Sequence, residues 1–331
     1  MFQLRPGALT TAVCIATVAS ISSLNADPDR GLRAVAFDTP LSRATRLLVV
    51  SPHPDDAVLA AAGLIQRVAS SGGAVHIVQM TSGDAFSKGL MAERRAPAAP
   101  TADDYRRYGA ERERETVASL RALGVRHSNI TFLGFPDDGL CLLASQYEAR
   151  DVYESPYTKR RSPPYAEQVI HGVTYRGEDV RRELQRVVAA FAPTLVLAPD
   201  PRDEHPDHCA THMFVKEALD SIAPGAPRPA VLHYLIHYGA WPAMGTTDGT
   251  LGPPPSFPAA DGVWRTLVLT PKEAARKKAA LAAYKSQLLV IGDLVAGFTR
   301  REEVFVGGEP AAPAACWCRG ENIAAPPVRT R

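Results

Sequence analysis

The stretch LLVVSPHPDD at residues 47–56 decides how this chain is predicted to fold. Its first four residues are Leu and Val, which is typical of a short buried β-strand, and an Ala/Leu-rich segment with helical spacing follows at residues 56–70. Two glycines directly after Ser71 would end that helix. The stretch therefore predicts a strand, a loop and a helix in succession, and the loop carries His53, Asp55 and Asp56.

The same strand-then-helix rhythm continues along the chain. Three more strands and three more helices are predicted, at residues 75–80, 129–133 and 194–198 and at residues 105–123, 177–191 and 207–221 respectively. Strands separated by helices of this length form parallel sheets. We therefore predict an α/β fold, a Rossmann-like and mostly parallel sheet with helices on both faces. The first loop lacks the glycines of a dinucleotide fingerprint, which argues against a nicotinamide or flavin cofactor.

A second loop with similar chemistry, DEHPDH at residues 203–208, follows the strand predicted at residues 194–198. Ligands of parallel sheets bind at the carboxyl ends of the strands, so both loops are expected at one edge. A catalytic zinc takes three His or carboxylate ligands and leaves a position open, and the two loops offer six such residues: His53, Asp55, Asp56, His205, Asp207 and His208. Either loop alone is also compatible with an ordinary helix start or a solvated turn. The pair favours a split metal site.

At this point the chain resembles a known family, the PIG-L (LmbE-like) zinc-dependent N-deacetylases. HPDD at residues 53–56 and HPDH at residues 205–208 are similar to its two signature motifs. TSGD at residues 81–84 and LGFPD at residues 133–137 resemble two further strand ends of the family.

The resemblance implies a role for each of the six residues. Three would be the zinc ligands: His53, Asp56 and His208. Asp55 would be the general base that activates water. His205 would stabilise the oxyanion and protonate the leaving amine, and Asp207 would orient it. Two positions depart from the family pattern, namely Ala57, where Glu is common, and Asp203, where some members carry Tyr.

The predicted activity is therefore zinc-dependent hydrolysis of an N-acyl amide, most simply N-deacetylation of an N-acetylglucosamine-type sugar or conjugate. An amidase for a different N-acyl substrate, a metal-dependent carbohydrate-binding protein without turnover and a metal-dependent phosphoesterase are the alternatives. The ligand types accept Fe²⁺ or Co²⁺ as well as Zn²⁺. The expected partner is a small N-acylated molecule. A formal net charge of +2 without a long basic stripe argues against nucleic acid, and no apolar stretch is convincing as a membrane span.

The domain organisation is predicted as a leader, one domain and a tail. Residues 1–26 resemble a signal peptide, which predicts export to the periplasm or beyond, with a disordered cytosolic leader as the alternative. Residues 40–306 form the deacetylase-like domain, and an insertion at about 146–171 is either a lid or substrate-selecting wall or a passive surface feature. Residues 307–331 form a Pro/Ala-rich tail.

Two further predictions concern cysteine and histidine. Cys316 and Cys318 are predicted to be unpaired thiols in the tail. His233 and His237 are predicted on one face of a strand over residues 231–238, and neither is assigned to the site, although His237 could reach its mouth.

Overall fold

The structure is a computed structural model that describes residues 34–95, 98–166, 172–245, 249–257, 263–308 and 318. The predicted leader and nearly all of the predicted tail lie outside these residues. Within them no helix is both long and apolar enough to cross a membrane.

A mixed sheet of eight strands forms the centre of the described fold. The strands are β1 Val35–Ala36, β2 Arg46–Ser51, β3 Ala74–Thr81, β4 Ile130–Phe135, β5 Leu195–Pro199, β6 Ala230–Tyr234, β7 Val263–Val268 and β8 Glu302–Gly307. Their order is β1-β7-β8-β6-β5-β2-β3-β4, and every neighbouring pair is parallel except those that include β8. The predicted mostly parallel sheet is confirmed.

Helices cover both faces of this sheet. They are α1 Asp56–Ser70, α2 Ser87–Arg94, α3 Ala102–Ala122, α4 Leu140–Leu143, α5 Gly177–Phe191, α6 Pro206–Asp220, α7 Pro271–Leu281 and α8 Lys285–Gly297. Strand side chains alternate between faces, so Leu47 and Val49 pack in one apolar core with α1, while Leu48 and Val50 pack in a second core with α5 and α6.

The chain changes direction across the sheet between β2 and β5. After β2 it proceeds outward through β3 and β4, and it then returns to place β5 on the other side of β2. Such a switch point opens a crevice at the carboxyl ends of the two central strands. The two His/Asp loops follow β2 and β5, so the topology brings them to the same crevice.

Helix α1 contains a break, and a carboxylate from a buried ion pair accepts hydrogen bonds from the backbone just beyond it. Ala61 has non-helical torsion angles (φ −141°, ψ 21°), and the carboxylate of Glu303 accepts hydrogen bonds from the N–H groups of Gly63 (2.8 Å) and Leu64 (3.1 Å) just beyond it. Lys277 lies 3.0 Å from the same carboxylate, and both side chains are fully buried. A Cβ on Gly63 would lie 2.1 Å from a Leu269 methyl carbon, so any larger residue there would require the Leu269 side chain to move.

The prediction of unpaired thiols in the tail is wrong for Cys318. This cysteine is fully buried and forms a disulfide with Cys141 on α4, and Cys209 on α6 is also disulfide-bonded. The Cys318 sulfur lies 3.8 Å from the Pro206 carbonyl oxygen, directly behind the second His/Asp loop. Residues 141 and 318 are 177 apart in sequence, so no local spacing indicates the pairing.

Candidate active site

Three side-chain atoms at the crevice form a nearly equilateral triangle. His53 Nδ1 lies 3.3 Å from Asp56 Oδ2 and 3.2 Å from His208 Nε2, and the latter two atoms are 3.2 Å apart. Tetrahedral zinc with ligand distances near 2.1 Å separates its ligand atoms by about 3.4 Å. The donor set of His53, Asp56 and His208 therefore fits one zinc ion in both chemistry and spacing.

The outer nitrogens of both histidines face carboxylates. His208 Nδ1 lies 3.0 Å from Asp203 Oδ2, and His53 Nε2 lies 3.2 Å from Asp137 Oδ1 and 3.6 Å from Asp207 Oδ2. Carboxylates in this position fix the tautomer and the ring orientation of a metal-ligating histidine.

Charge within the cluster suits a cation. Burial alone would raise the pKa of Asp56, but His208 and His53 lower it well below its usual range. Burial lowers the pKa of His208, yet Asp203 and Asp56 outweigh it and raise that pKa to about 9. A metal ion would replace the proton that His208 otherwise carries.

Asp55 lines the cavity beside the triangle without belonging to it. The cavity holds about 220 Å³, and Asp55 shares its lining with His53, His205 and Arg112. Arg112 Nη2 lies 3.8 Å from Asp55 Oδ1, and the amide nitrogen of Gln287 donates to Asp55 Oδ2 when the amide is oriented to satisfy both neighbours. Burial and the adjacent Asp56 raise the pKa of Asp55 to about 6, which places it in the range of a general base at neutral pH.

Arg112 itself is held by a glycine turn. It donates to the carbonyl of Gly83, which has a φ of +64°. A Cβ at that position would lie 1.9 Å from the guanidinium, so only glycine allows this approach.

His205 caps helix α6 and faces the cavity. Its Nδ1 accepts a hydrogen bond from the backbone N–H of Asp207 (3.2 Å), which leaves Nε2 to carry the proton of a neutral ring. Burial and the neighbouring His53 and His208 lower the pKa of His205 well below its usual value. The ring centroids of His205 and His53 are 4.5 Å apart.

Asp207 contacts His205 through its backbone, while its carboxylate points elsewhere. Oδ2 accepts from the N–H of Asp138 (2.7 Å) and Oδ1 from the N–H of Leu140 (3.0 Å), and the side chain is fully buried. The carboxylate thus joins the loop after β4 to the start of α6 beneath His53.

Comparison with known proteins identifies the chain. The family model described as PIG-L, GlcNAc-PI de-N-acetylase, matches residues 48–219, more than half of the sequence. The chain belongs to the PIG-L family.

Two curated relatives carry the same name, 1D-myo-inositol 2-acetamido-2-deoxy-alpha-D-glucopyranoside deacetylase. The one from Nakamurella multipartita is 29% identical over 269 residues, which covers 76% of this chain and 83% of the relative. The one from Geodermatophilus obscurus is 28% identical over 195 residues and covers 57% of this chain and 58% of the relative. A solved deacetylase of the teicoplanin biosynthetic pathway is similar in fold at a TM-score of 0.50 and 19% identity, covering 82% of this chain and all of that chain.

One residue that lines the cavity, His237, was not assigned to the site from the sequence. His237 lines the cavity, and its ring centroid lies 5.4 Å from that of His205 and 5.1 Å from that of His208. The predicted strand over residues 231–238 is too long, since β6 ends at Tyr234. The ring centroid of His233 instead lies 5.1 Å from that of His212. His233 and His237, which were predicted on one face, therefore have different surroundings.

The insertion predicted at about 146–171 contacts acidic residues of the loops that follow β3 and β4, although residues 167–171 lie outside the described residues. Tyr157 donates a hydrogen bond to Asp138 Oδ2 (3.1 Å), and Tyr165 donates to Asp84 Oδ2. Asp138, which lines the cavity, adopts a left-handed φ of +59°. The insertion is therefore packed against the rim of the site.

Proposed function

We propose that this protein is a zinc-dependent hydrolase that removes the acetyl group from an N-acetylglucosamine-type sugar or conjugate. The observation that carries the proposal is the triangle of His53 Nδ1, Asp56 Oδ2 and His208 Nε2, with Asp55 and His205 on the cavity side of it. The names of the curated relatives, both deacetylases of an acetamido sugar, support the choice of substrate class.

Asp55 and His205 have different roles in amide hydrolysis. A zinc ion in the triangle would polarise the amide carbonyl and lower the pKa of the attacking water. Asp55 accepts a proton from that water as the water oxygen bonds to the carbonyl carbon. His205 Nε2–H donates a hydrogen bond to the oxyanion that develops. The C–N bond then breaks, the amine nitrogen takes up the proton that Asp55 accepted from the water, and acetate and a free amino sugar leave.

Substrate and metal assays with an Asp55→Asn control test the proposal. The zinc-loaded protein should release acetate and amine in equal amounts from N-acetylglucosamine conjugates. Asp55→Asn should lose at least a hundredfold in kcat while it retains one bound zinc per chain, because Asp55 is outside the triangle. Near-normal activity in this variant would refute the role of Asp55, and release of phosphate from phosphoesters instead of acetate would favour a phosphoesterase.

We also propose that the protein is exported. The leader-like composition of residues 1–26 and the buried Cys141–Cys318 disulfide support this, because disulfides persist mainly in oxidising compartments. Cell fractionation with N-terminal sequencing of the mature protein tests it. Recovery of the uncleaved chain from the cytosol, with both thiols reduced, would contradict export.

A further inference from the structure

The cavity of the candidate active site has two kinds of lining. Polar groups are supplied by Asp137, Asp138 and Arg112. Another part of the lining, which we term the apolar wall, consists of Ala85, Phe86, Ile291 and Leu294. Ala85 and Phe86 immediately precede α2, the other two residues lie on α8, and these two helices pack against each other.

Other apolar side chains of the same two helices are exposed to water outside the cavity. Leu289 and Val290 on α8 are 56% and 38% exposed, and Met91 on α2 is 56% exposed. None of these three residues lines the cavity, so they are not part of the apolar wall.

The wall restricts what a substrate can place against it. None of its four side chains carries a nitrogen or oxygen atom, so a sugar hydroxyl that faced them would lose its hydrogen bonds to water at a cost of about 1–3 kcal/mol. Hydroxyls can be satisfied by the carboxylates of Asp137 and Asp138 instead. Only an apolar group can cover the apolar wall without losing hydrogen bonds to water.

We propose that the substrate is amphiphilic, an N-acyl amino sugar that carries an alkyl or aryl substituent, and that the apolar wall binds this substituent. This inference rests on the proposed deacetylase function and narrows its substrate class. Phe86 and Leu294 are then specificity-determining residues that contact the substituent rather than the reacting amide.

A matched pair of ligands tests the inference: the hexyl and methyl glycosides of N-acetylglucosamine with the same anomeric configuration. Affinity is measured by calorimetry on the zinc-loaded Asp55→Asn protein, and kcat/KM is measured on the wild type. The hexyl glycoside should be favoured at least tenfold, the equivalent of about two buried methylene groups.

Two variants and a control locate the preference. Phe86→Asn and Leu294→Asn, on different elements, should each reduce the hexyl-to-methyl ratio at least threefold. Leu289→Asn places the same substitution on α8 at an exposed position that does not line the cavity, and it should retain the ratio and the activity.

The outcomes separate this inference from the proposed function. Equal binding and equal turnover of the two glycosides would overturn the inference and leave deacetylation intact. Preferential binding of the hexyl glycoside without release of acetate from either glycoside would overturn the function and support the apolar wall. A ratio unchanged in both wall variants, or lost equally in Leu289→Asn, would also overturn the inference.

Discussion

Replacing Lys277 by Met should destabilise the protein strongly although the residue is remote from the chemistry. Lys277 Nζ lies 3.0 Å from Glu303 Oε1, and neither side chain is exposed to water. Loss of one partner from a buried ion pair leaves an uncompensated charge and costs about 3–5 kcal/mol. Glu303 keeps the N–H groups of Gly63 and Leu64 as donors, so we expect the lower end, about 3 kcal/mol.

Urea unfolding followed by circular dichroism measures this cost, and thermal unfolding should show a decrease in Tm of roughly 6–12 °C for a domain of this size. The double variant Lys277→Met/Glu303→Gln removes the charge, and the Gln carbonyl can still accept one N–H at the break in α1. It should recover at least 1 kcal/mol, within the range of pairwise coupling energies for contacting residues. A single variant within 1 kcal/mol of the wild type, or a double variant no more stable than the single one, would refute the reasoning.

Three further predictions follow from contacts around the site and on the surface. Asp203→Asn weakens the contact to His208 Nδ1, the nitrogen of that ring that faces away from the metal position. It should lower zinc affinity about 10–100-fold in a chelator competition. Unchanged affinity would contradict the role of Asp203 in orienting His208. Tyr157→Phe removes the hydrogen bond to Asp138, so steady-state kinetics should show a several-fold higher KM with little change in kcat, and the reverse split would oppose a binding role. Arg67 lowers the pKa of Glu273 to about 2 from an ordinary value of 4.5, so the charge of Glu273 stabilises the fold above pH 4.5 and this contribution is lost as the pH falls toward 2. Glu273→Gln should therefore cost about 0.5–1 kcal/mol in urea unfolding at pH 7 and less at pH 3.5, and a constant difference would contradict it.

Local patterns were sufficient to predict the centre of the fold. The helix predicted at residues 56–70 is found with the same bounds, because its apolar spacing and the glycines behind it are both local features. The strand β7 was missed because Arg265 and Thr266 interrupt its apolar residues, so the segment does not form an apolar run. In β8, what could not be predicted is the burial of Glu303, because a charged residue inside a core strand has no signal in hydropathy.

The candidate site was predictable where its residues lie in motifs and not where the chain leaves the sheet. The six motif residues lie together because β2 and β5 are neighbours. His237 was missed because Ile236 and His237 donate their N–H groups to Asp203 Oδ2 (2.7 and 3.1 Å) instead of extending β6. From the sequence, Asp203 was noted only as a departure from the Tyr of some family members. In the structure its carboxylate accepts the hydrogen bonds of this segment and also contacts His208 Nδ1.

Ala57 shows what a departure from the family pattern can mean physically. Its side chain is 1% exposed and packs in the apolar core that includes α1. A Glu there would bring a carboxylate to a position that this chain has made apolar.

The disulfide between Cys141 and Cys318 closes a covalent ring that spans 177 residues and includes β5 through β8. A protease that cuts once within this ring, for example in the long connection between β6 and β7, leaves two pieces that remain linked. Such a nicked molecule migrates as an intact chain on a non-reducing gel and separates into fragments only after thiol is added. Limited proteolysis of this protein therefore needs paired reducing and non-reducing lanes before a band of full size is taken as resistance.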